Sequence, residues 1–209
     1  MNEKLGKVGA AITGLSVFAF AISMLIGFFT PTLFSSYLSS IGIALGFVVM
    51  VAALAGANDD AQARGVGVGG VVFAAIYAML ILLVYYAQST TVRMNPALSE
   101  EALSLLDYSR AGSLLFNYDL LGYGMMAIST FLIGFTVRPI HRCARALRIM
   151  LWLHGLFFLP CFIMPMLPVF TAGSDTTFSV IMLECWCGYF IPLCVLAYRY
   201  FRDVARVER

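Results

Sequence analysis

The chain has 209 residues, of which 61% are hydrophobic and only 11% charged, and its mean hydropathy is +0.91. Because roughly a quarter of the residues in a soluble domain are charged, this composition excludes an ordinary water-soluble protein and indicates an integral membrane protein. The formal net charge of +2 is too small to suggest nucleic-acid binding.

Three uncharged runs in the first half of the chain predict transmembrane helices at residues 8–29, 34–57 and 66–88. Each run is long enough, because a hydrocarbon core of about 30 Å needs about 20 helical residues. The first run is longer than the apolar part of a signal peptide, so we interpret it as a retained span. Small residues spaced four apart predict close helix packing, within the bundle or with another membrane protein or a second copy. These residues are Ala19, Ser23, Gly27, Gly42, Gly46, Gly65 and Gly69.

Residues 89–111 form the one long polar connection. Ser99 followed by Glu100 and Glu101 predicts a helix start, because serine caps helices and acids favour the positive end of the helix dipole. We expect a short amphipathic helix here, acting either as a lid over the bundle or as a plain connector. Its predicted apolar stripe comprises Leu98, Ala102, Leu105 and Leu106.

Three further spans are predicted at residues 112–137, 149–171 and 178–198. Prolines interrupt the last two spans, and a proline leaves the carbonyl four residues earlier without its helical donor. Broken helices of this kind line the binding sites of some transporters, although prolines also occur in membrane helices for packing alone. The prolines concerned are Pro160, Pro165, Pro168 and Pro192.

The basic residues predict how the chain is oriented. All but two of the 13 Lys and Arg residues lie at the two termini or in the loops after the second and fourth spans, the exceptions being Arg93 and Arg110. Positive charge favours the cytoplasmic side, so both termini should be cytoplasmic and the long connection should lie outside. We therefore expect an all-α, polytopic protein of the cytoplasmic (inner) membrane, with residues 1–209 forming one six-span domain.

Two acidic residues within the spans are the leading candidates for a site. Glu184 lies about 10 Å below the outer edge of the sixth span at 1.5 Å per residue, a depth at which a carboxylate costs on the order of 2–3 kcal/mol. Glu184 should therefore face the interior, either binding a substrate, proton or cation or clamping neighbouring helices. Asp119 enters from the same side, on a stripe with Tyr123 and two other residues, Met126 and Thr130.

If that stripe faces the sixth span, Asp119, Tyr123 and Glu184 line one outward-opening cavity, with Arg93 or Arg110 as countercharge. His154 is expected in the cytoplasmic half, about 12 Å from Glu184 along the membrane normal. It is either a proton-relaying or substrate-binding group or a hydrogen-bonded interface residue.

The cysteines do not predict a metal site. Cys161 lies near the depth of Cys185 and Cys187, but these last two are two apart on a helix and point in different directions. We therefore expect neither a metal nor a cofactor, and no catalytic residue is assigned.

Three functions fit this pattern. The first is a small transporter or ligand-binding membrane protein whose ligand is a small molecule or a lipid. The second is an intramembrane enzyme in which Glu184 or His154 acts as acid or base on a lipid-like substrate. The third is a non-catalytic scaffold or regulator that binds another membrane protein through its small-residue faces. The sequence favours a function without catalysis, because the motifs of zinc proteases, serine hydrolases and P-loop enzymes are absent from it.

Overall fold

The structure, a computed structural model, describes residues 2–27, 34–58, 60–167 and 177–207. These residues are helical throughout, joined by turns and without any strand. The α-helices are α1 (Asn2–Gly27), α2 (Phe34–Ala55), α3 (Ala61–Ala87), α4 (Glu100–Leu106), α5 (Leu114–Gly134), α6 (Arg142–His154), α7 (Phe158–Ile163) and α8 (Thr177–Val207). A π-helical turn, Gln88–Val92, extends α3, and 3-10 turns at Gly155–Phe157 and Met164–Met166 flank α7.

Five of the described helical segments are long and apolar enough to cross a membrane. They are Asn2–Gly27, Phe34–Ala55, Ala61–Val92, Arg142–Met166 and Val180–Val204. The expected all-α, multi-pass membrane fold is thereby confirmed. The predicted fourth span, residues 112–137, corresponds to α5, which is not among these five segments; its 21 residues include the polar Asn117 and Asp119.

Helices α1 and α2 pack most closely where glycine faces backbone. A Cβ atom added at Gly46 would lie 2.7 Å from the backbone nitrogen of Thr13, and one added at Gly9 would lie 2.5 Å from that of Met50. Such contacts let two helices gain dispersion energy along their backbones, as expected from the spacing of the small residues.

Two other small residues of the pattern are not buried between helices of the bundle. Ala19 is exposed, because the buried face of α1 carries Thr13, Val17 and Phe20 instead. Gly65 lies at the start of α3, where an added Cβ would meet no atom within 4 Å.

Helix α5 packs against α3, α6 and α7. The residues of its predicted stripe, Asp119, Tyr123, Met126 and Thr130, are all buried. Ser129 donates a hydrogen bond of 2.7 Å across to the carbonyl oxygen of Gly70 on α3. This helix therefore supplies polar groups to the protein interior rather than to lipid.

The segment Arg142–Met166 is broken as its prolines predicted. The α-helix gives way to 3-10 turns just before Pro160 and again at Pro165, where backbone donors are lost. Helix α8 instead continues through Pro192. Pro168 and the predicted end of the fifth span lie outside the described residues.

Helix α6 begins seven residues earlier than the predicted fifth span, which started at residue 149. His141 is its N-cap, and Nδ1 of this residue accepts from the backbone nitrogen of Ala144 at 3.1 Å. Four arginines in this region suggested a loop to us, but the N-cap starts the helix at Arg142 and so places His154 three turns into it.

The predicted helix in the long connection is present as α4, with Ser99 as its N-cap accepting from the backbone nitrogen of Ala102 at 3.3 Å. Three residues of the predicted stripe, Leu98, Ala102 and Leu106, are half-buried, whereas Leu105 is 60% exposed. Helix α4 contacts α5 and the π-helical turn. We call this end of the bundle the α4 end.

Candidate functional site

A cavity of about 220 Å³ lies between α5, α7 and α8 near the α4 end. Most of its wall is aromatic or aliphatic, with Phe116 and Leu120 from α5, Phe157 and Met164 from the broken segment, and Leu183 from α8. A cavity of this size and character suits a small, mainly apolar ligand.

Asp119 provides the carboxylate in this wall. It is only 4% exposed, and its Oδ1 atom has no hydrogen-bond partner among the described residues. A carboxylate in such surroundings normally accepts several hydrogen bonds or pairs with a cation, because desolvation of an unpaired charge is costly. Asp119 is therefore the polar group that a ligand in the cavity would meet.

Four tyrosines surround Asp119 and interact electrostatically with it: Tyr77, Tyr85, Tyr108 and Tyr123. Their rings pack in pairs, with centroids 5.8 Å apart for Tyr77 and Tyr123 and 5.2 Å apart for Tyr85 and Tyr108. The hydroxyls of Tyr77 and Tyr123 are buried and have no hydrogen-bond partner among the described residues, whereas the Tyr85 hydroxyl interacts with Asp119 and Tyr108. We call Asp119 and these tyrosines the Asp119 cluster.

The countercharges suggested by the sequence are engaged elsewhere. Arg110 pairs with Glu100 at 2.8 Å and with Asp107 at 3.4 Å. The guanidinium of Arg93 lies over the ring of Phe34, 4.0 Å from its centroid. Within the ranges that the structure covers, no Lys, Arg or His forms an ion pair with Asp119.

The connection between α4 and α5 contributes to the cavity wall. Tyr108 from this connection lines the cavity, and burial raises the pKa of Tyr108 well above its ordinary value, which keeps the hydroxyl protonated. Gln88, in the π-helical turn, holds the start of this connection in place, because its side chain donates a 2.6 Å hydrogen bond to the carbonyl oxygen of Leu106. Gly112, with a φ of 82°, supplies the left-handed turn that leads into α5.

The ion pairs of Arg110 hold the same connection from outside. The hydrogen bond and charge of Arg110 lower the pKa of Glu100 below its ordinary value. Arg110 in this way ties the first turn of α4 to the chain just before α5.

His154 also lines the cavity, yet both of its ring nitrogens are already hydrogen-bonded. Nε2 accepts from the indole nitrogen of Trp186 at 3.0 Å, and Nδ1 lies 2.8 Å from the hydroxyl of Thr130. The Thr130 hydroxyl is 2.9 Å from the carbonyl oxygen of Ala127, to which it donates.

These contacts assign one tautomer to His154. Because an indole N–H can only donate, Nε2 must be unprotonated, and Nδ1–H then donates to Thr130. The neutral ring joins α5, α6 and α8 and has no free nitrogen for a proton relay. The geometry thus matches the second of the two roles weighed for His154, a hydrogen-bonded interface residue.

The predicted separation of about 12 Å between His154 and Glu184 is too long. The His154 ring packs against Trp186 and Phe190, with centroids 6.5 and 5.1 Å away. Trp186 and Phe190 lie within the two helical turns that follow Glu184. His154 and Glu184 are therefore separated by only about 5 Å along the helix axis. The error came from starting the span at residue 149 instead of Arg142.

Glu184 does not line the cavity, although Leu183 and Trp186 on the same helix do. Successive helical residues are turned by about 100°, which places Glu184 on a neighbouring face. It is half-buried, and its Oε1 is inaccessible and has no hydrogen-bond partner in the part of the chain described. Three of the four predicted site residues therefore share the cavity, and Glu184 lies beside it.

The described cysteines are all free, and they do not gather with His, Asp or Glu into any metal-ligating group of three. Cys161 lines the cavity together with His154. Cys185 is exposed and Cys187 is buried, so these two point in different directions, as expected from their spacing.

The sequence interpretation missed the aromatic part of the site. Tyr77 and Tyr85 are eight residues apart on α3, a spacing that places them on one helix face and could have revealed them. Trp186 was overlooked beside the more conspicuous Glu184, and Tyr108 lay in a segment interpreted as a connector. Comparison of the chain with protein-family models, with curated proteins and with solved structures found no match.

Proposed function

We propose that this protein binds a small, mainly apolar ligand with one polar end in the cavity beneath Tyr108, as a transporter or ligand-binding membrane protein. One observation carries the proposal: a cavity of about 220 Å³ is apolar throughout most of its wall and contains a buried carboxylate oxygen without a partner. Ligand sites combine a largely apolar wall with a few polar groups that orient the ligand in this way.

A purely structural role would account less well for Asp119. A structural acid in a membrane protein is usually satisfied by neighbouring side chains, because an unsatisfied buried polar group costs about 1–3 kcal/mol. In this protein His154 and Thr130 are satisfied by their neighbours in that way, whereas Oδ1 of Asp119 and the hydroxyl of Tyr123 are left open beside the cavity.

The proposal includes six spans, cytoplasmic termini and location in the inner membrane. Helix α5 measures about 31 Å along its axis, enough to cross a hydrocarbon core. The distribution of Lys and Arg then supports an outward-facing α4 end. In that orientation the cavity serves the outer half of the membrane.

The intrinsic fluorescence of Trp186 tests ligand binding directly. The chain has two tryptophans, and Trp152 packs against Phe135 and Arg148 outside the cavity wall. In a Trp152→Phe variant in detergent, Trp186 alone should respond saturably to neopentylbenzene, a small apolar probe. The matched Trp186→Phe variant, which keeps Trp152, reports any change caused by partitioning of the probe into the micelle.

A cavity-filling variant provides the second control. Cys161→Phe adds bulk to the cavity wall and should weaken the saturable response of Trp186 at least severalfold. Equal responses of Trp186 and Trp152, or binding that is unaffected by Cys161→Phe, would refute a ligand site here. Uptake of the bound probe by proteoliposomes would then separate a transporter from a binding protein without transport.

A further inference from the structure

We propose that the polar end of the ligand is a monovalent organic cation of the alkylammonium type, held by the Asp119 carboxylate and by aromatic ring faces. This inference depends on the ligand-binding function proposed above. It adds the charge of the ligand, which the shape of the cavity does not specify.

The first argument is the missing countercharge. Asp119 is buried at 4% exposure, its Oδ1 has no hydrogen-bond partner, and its ion-pairing candidates Arg110 and Arg93 are occupied elsewhere. Buried carboxylates in membranes usually pair with a cation. With none among the residues described here, the ligand is the remaining source of positive charge.

The second argument is the aromatic surface that adjoins the carboxylate. Tyr108, Phe116, Tyr123 and Trp186 line the same cavity as Asp119. The rings of Tyr123 and Trp186 lie edge to face with centroids 5.2 Å apart, and Tyr108 and Phe116 are 6.4 Å apart. Aromatic faces attract weakly hydrated cations, most strongly where water is excluded.

The third argument concerns the kind of cation. A divalent metal ion requires six or more oxygen ligands or a set of His, Cys and carboxylate groups, and the described residues contain no such group of three. The wall around Asp119 is otherwise largely apolar, with Leu120 and Met182 close by. An alkylammonium group matches both features, since it needs one anion and otherwise prefers apolar and aromatic contacts.

Two probes of equal shape separate charge from hydrophobicity. Benzyltrimethylammonium and neopentylbenzene differ mainly in a positively charged nitrogen that replaces a neutral carbon. Binding of each is measured by Trp186 fluorescence in the Trp152→Phe protein, with and without the additional substitution Asp119→Asn. We expect Asp119→Asn to weaken binding of the cation at least tenfold and to leave binding of the neutral probe within about twofold.

Tyr123→Leu provides a second variant if Asp119→Asn does not fold. This substitution keeps the carboxylate and removes one ring face, so it should weaken the cation more than the neutral probe. The cation assignment would be overturned if both probes bound the unsubstituted site with equal affinity, or if the variants weakened binding of both probes to the same extent. Either result would leave the ligand site itself supported. Failure of both probes to bind would instead count against the ligand site itself.

Discussion

Replacement of Thr130 by valine tests whether the hydrogen-bond chain through His154 holds α5, α6 and α8 together. Valine has nearly the shape of threonine but lacks the hydroxyl that accepts from Nδ1 of His154 at 2.8 Å. Thr130 is fully buried, so water cannot replace the lost hydroxyl. The ring cannot switch tautomer, because Nε2 already accepts from Trp186 at 3.0 Å.

The expected cost follows from this geometry. A buried donor left without its acceptor loses about 1–3 kcal/mol. Hydrogen bonds between membrane helices average about 0.6 kcal/mol and reach about 1.7 kcal/mol, because the unfolded chain in lipid also finds partners. We therefore expect Thr130→Val to lower the free energy of unfolding by about 1–2 kcal/mol.

Equilibrium unfolding in mixed detergent and SDS micelles, followed by circular dichroism, measures this difference. A double-mutant cycle isolates the bond, because Thr130→Val should cost at most a few tenths of a kcal/mol once His154→Leu has removed the donor. Thr130→Ser retains the hydroxyl and serves as the matched control. The assigned tautomer and its bond would be refuted if Thr130→Val cost the same in the presence and absence of His154.

Three further predictions concern other parts of the fold. Gly46→Leu should destabilise the protein by at least about 1–3 kcal/mol in the same unfolding assay, because its side chain would overlap α1, whereas Gly65→Leu should have little effect. Arg110→Ala should speed hydrogen exchange of the amides of α4, because it removes the ion pair with Glu100. Acidification should have the same effect as the pH falls through the lowered pKa of Glu100, since only the ionised carboxylate pairs with Arg110. Unchanged exchange would show that this ion pair does not hold the connection. Glu184→Gln should leave the affinity for the probe within about twofold, because Glu184 lies outside the cavity wall. Loss of binding in this variant would show that Glu184 takes part in the site.

Hydrophobicity and helical periodicity predicted the larger features of the fold. Long apolar runs can only be helices in lipid, where every backbone polar group must be satisfied within its own segment. The 3.6-residue spacing predicted that Asp119, Tyr123, Met126 and Thr130 share one helix face, and all four are buried. The cap at Ser99 was likewise predicted from local chemistry and is present.

The positions that the sequence did not predict depend on how helices are rotated and shifted against one another. Leu105, Ala19 and Glu184 each lie on a helix that was correctly expected, but Leu105 and Ala19 are exposed, and Glu184 lies beside the cavity rather than in its wall. A rotation of one residue, about 100°, is enough to move a side chain out of a cavity. In lipid the apolar faces carry little information about rotation, since a buried and a lipid-facing leucine are chemically alike.

Polar residues carry that information, and this explains why α5 is both the least apparent of the predicted spans and the centre of the candidate site. Asn117 and Asp119 lower the hydropathy of α5, which is not among the five segments that are long and apolar enough to cross a membrane. The same residues oblige α5 to occupy the interior, because their exposure to lipid would be costly. The interior position in turn brings Asp119 beside the tyrosines of α3 and the cavity wall of α8. The candidate chemistry therefore lies on the predicted span that composition alone does not mark as a membrane crossing.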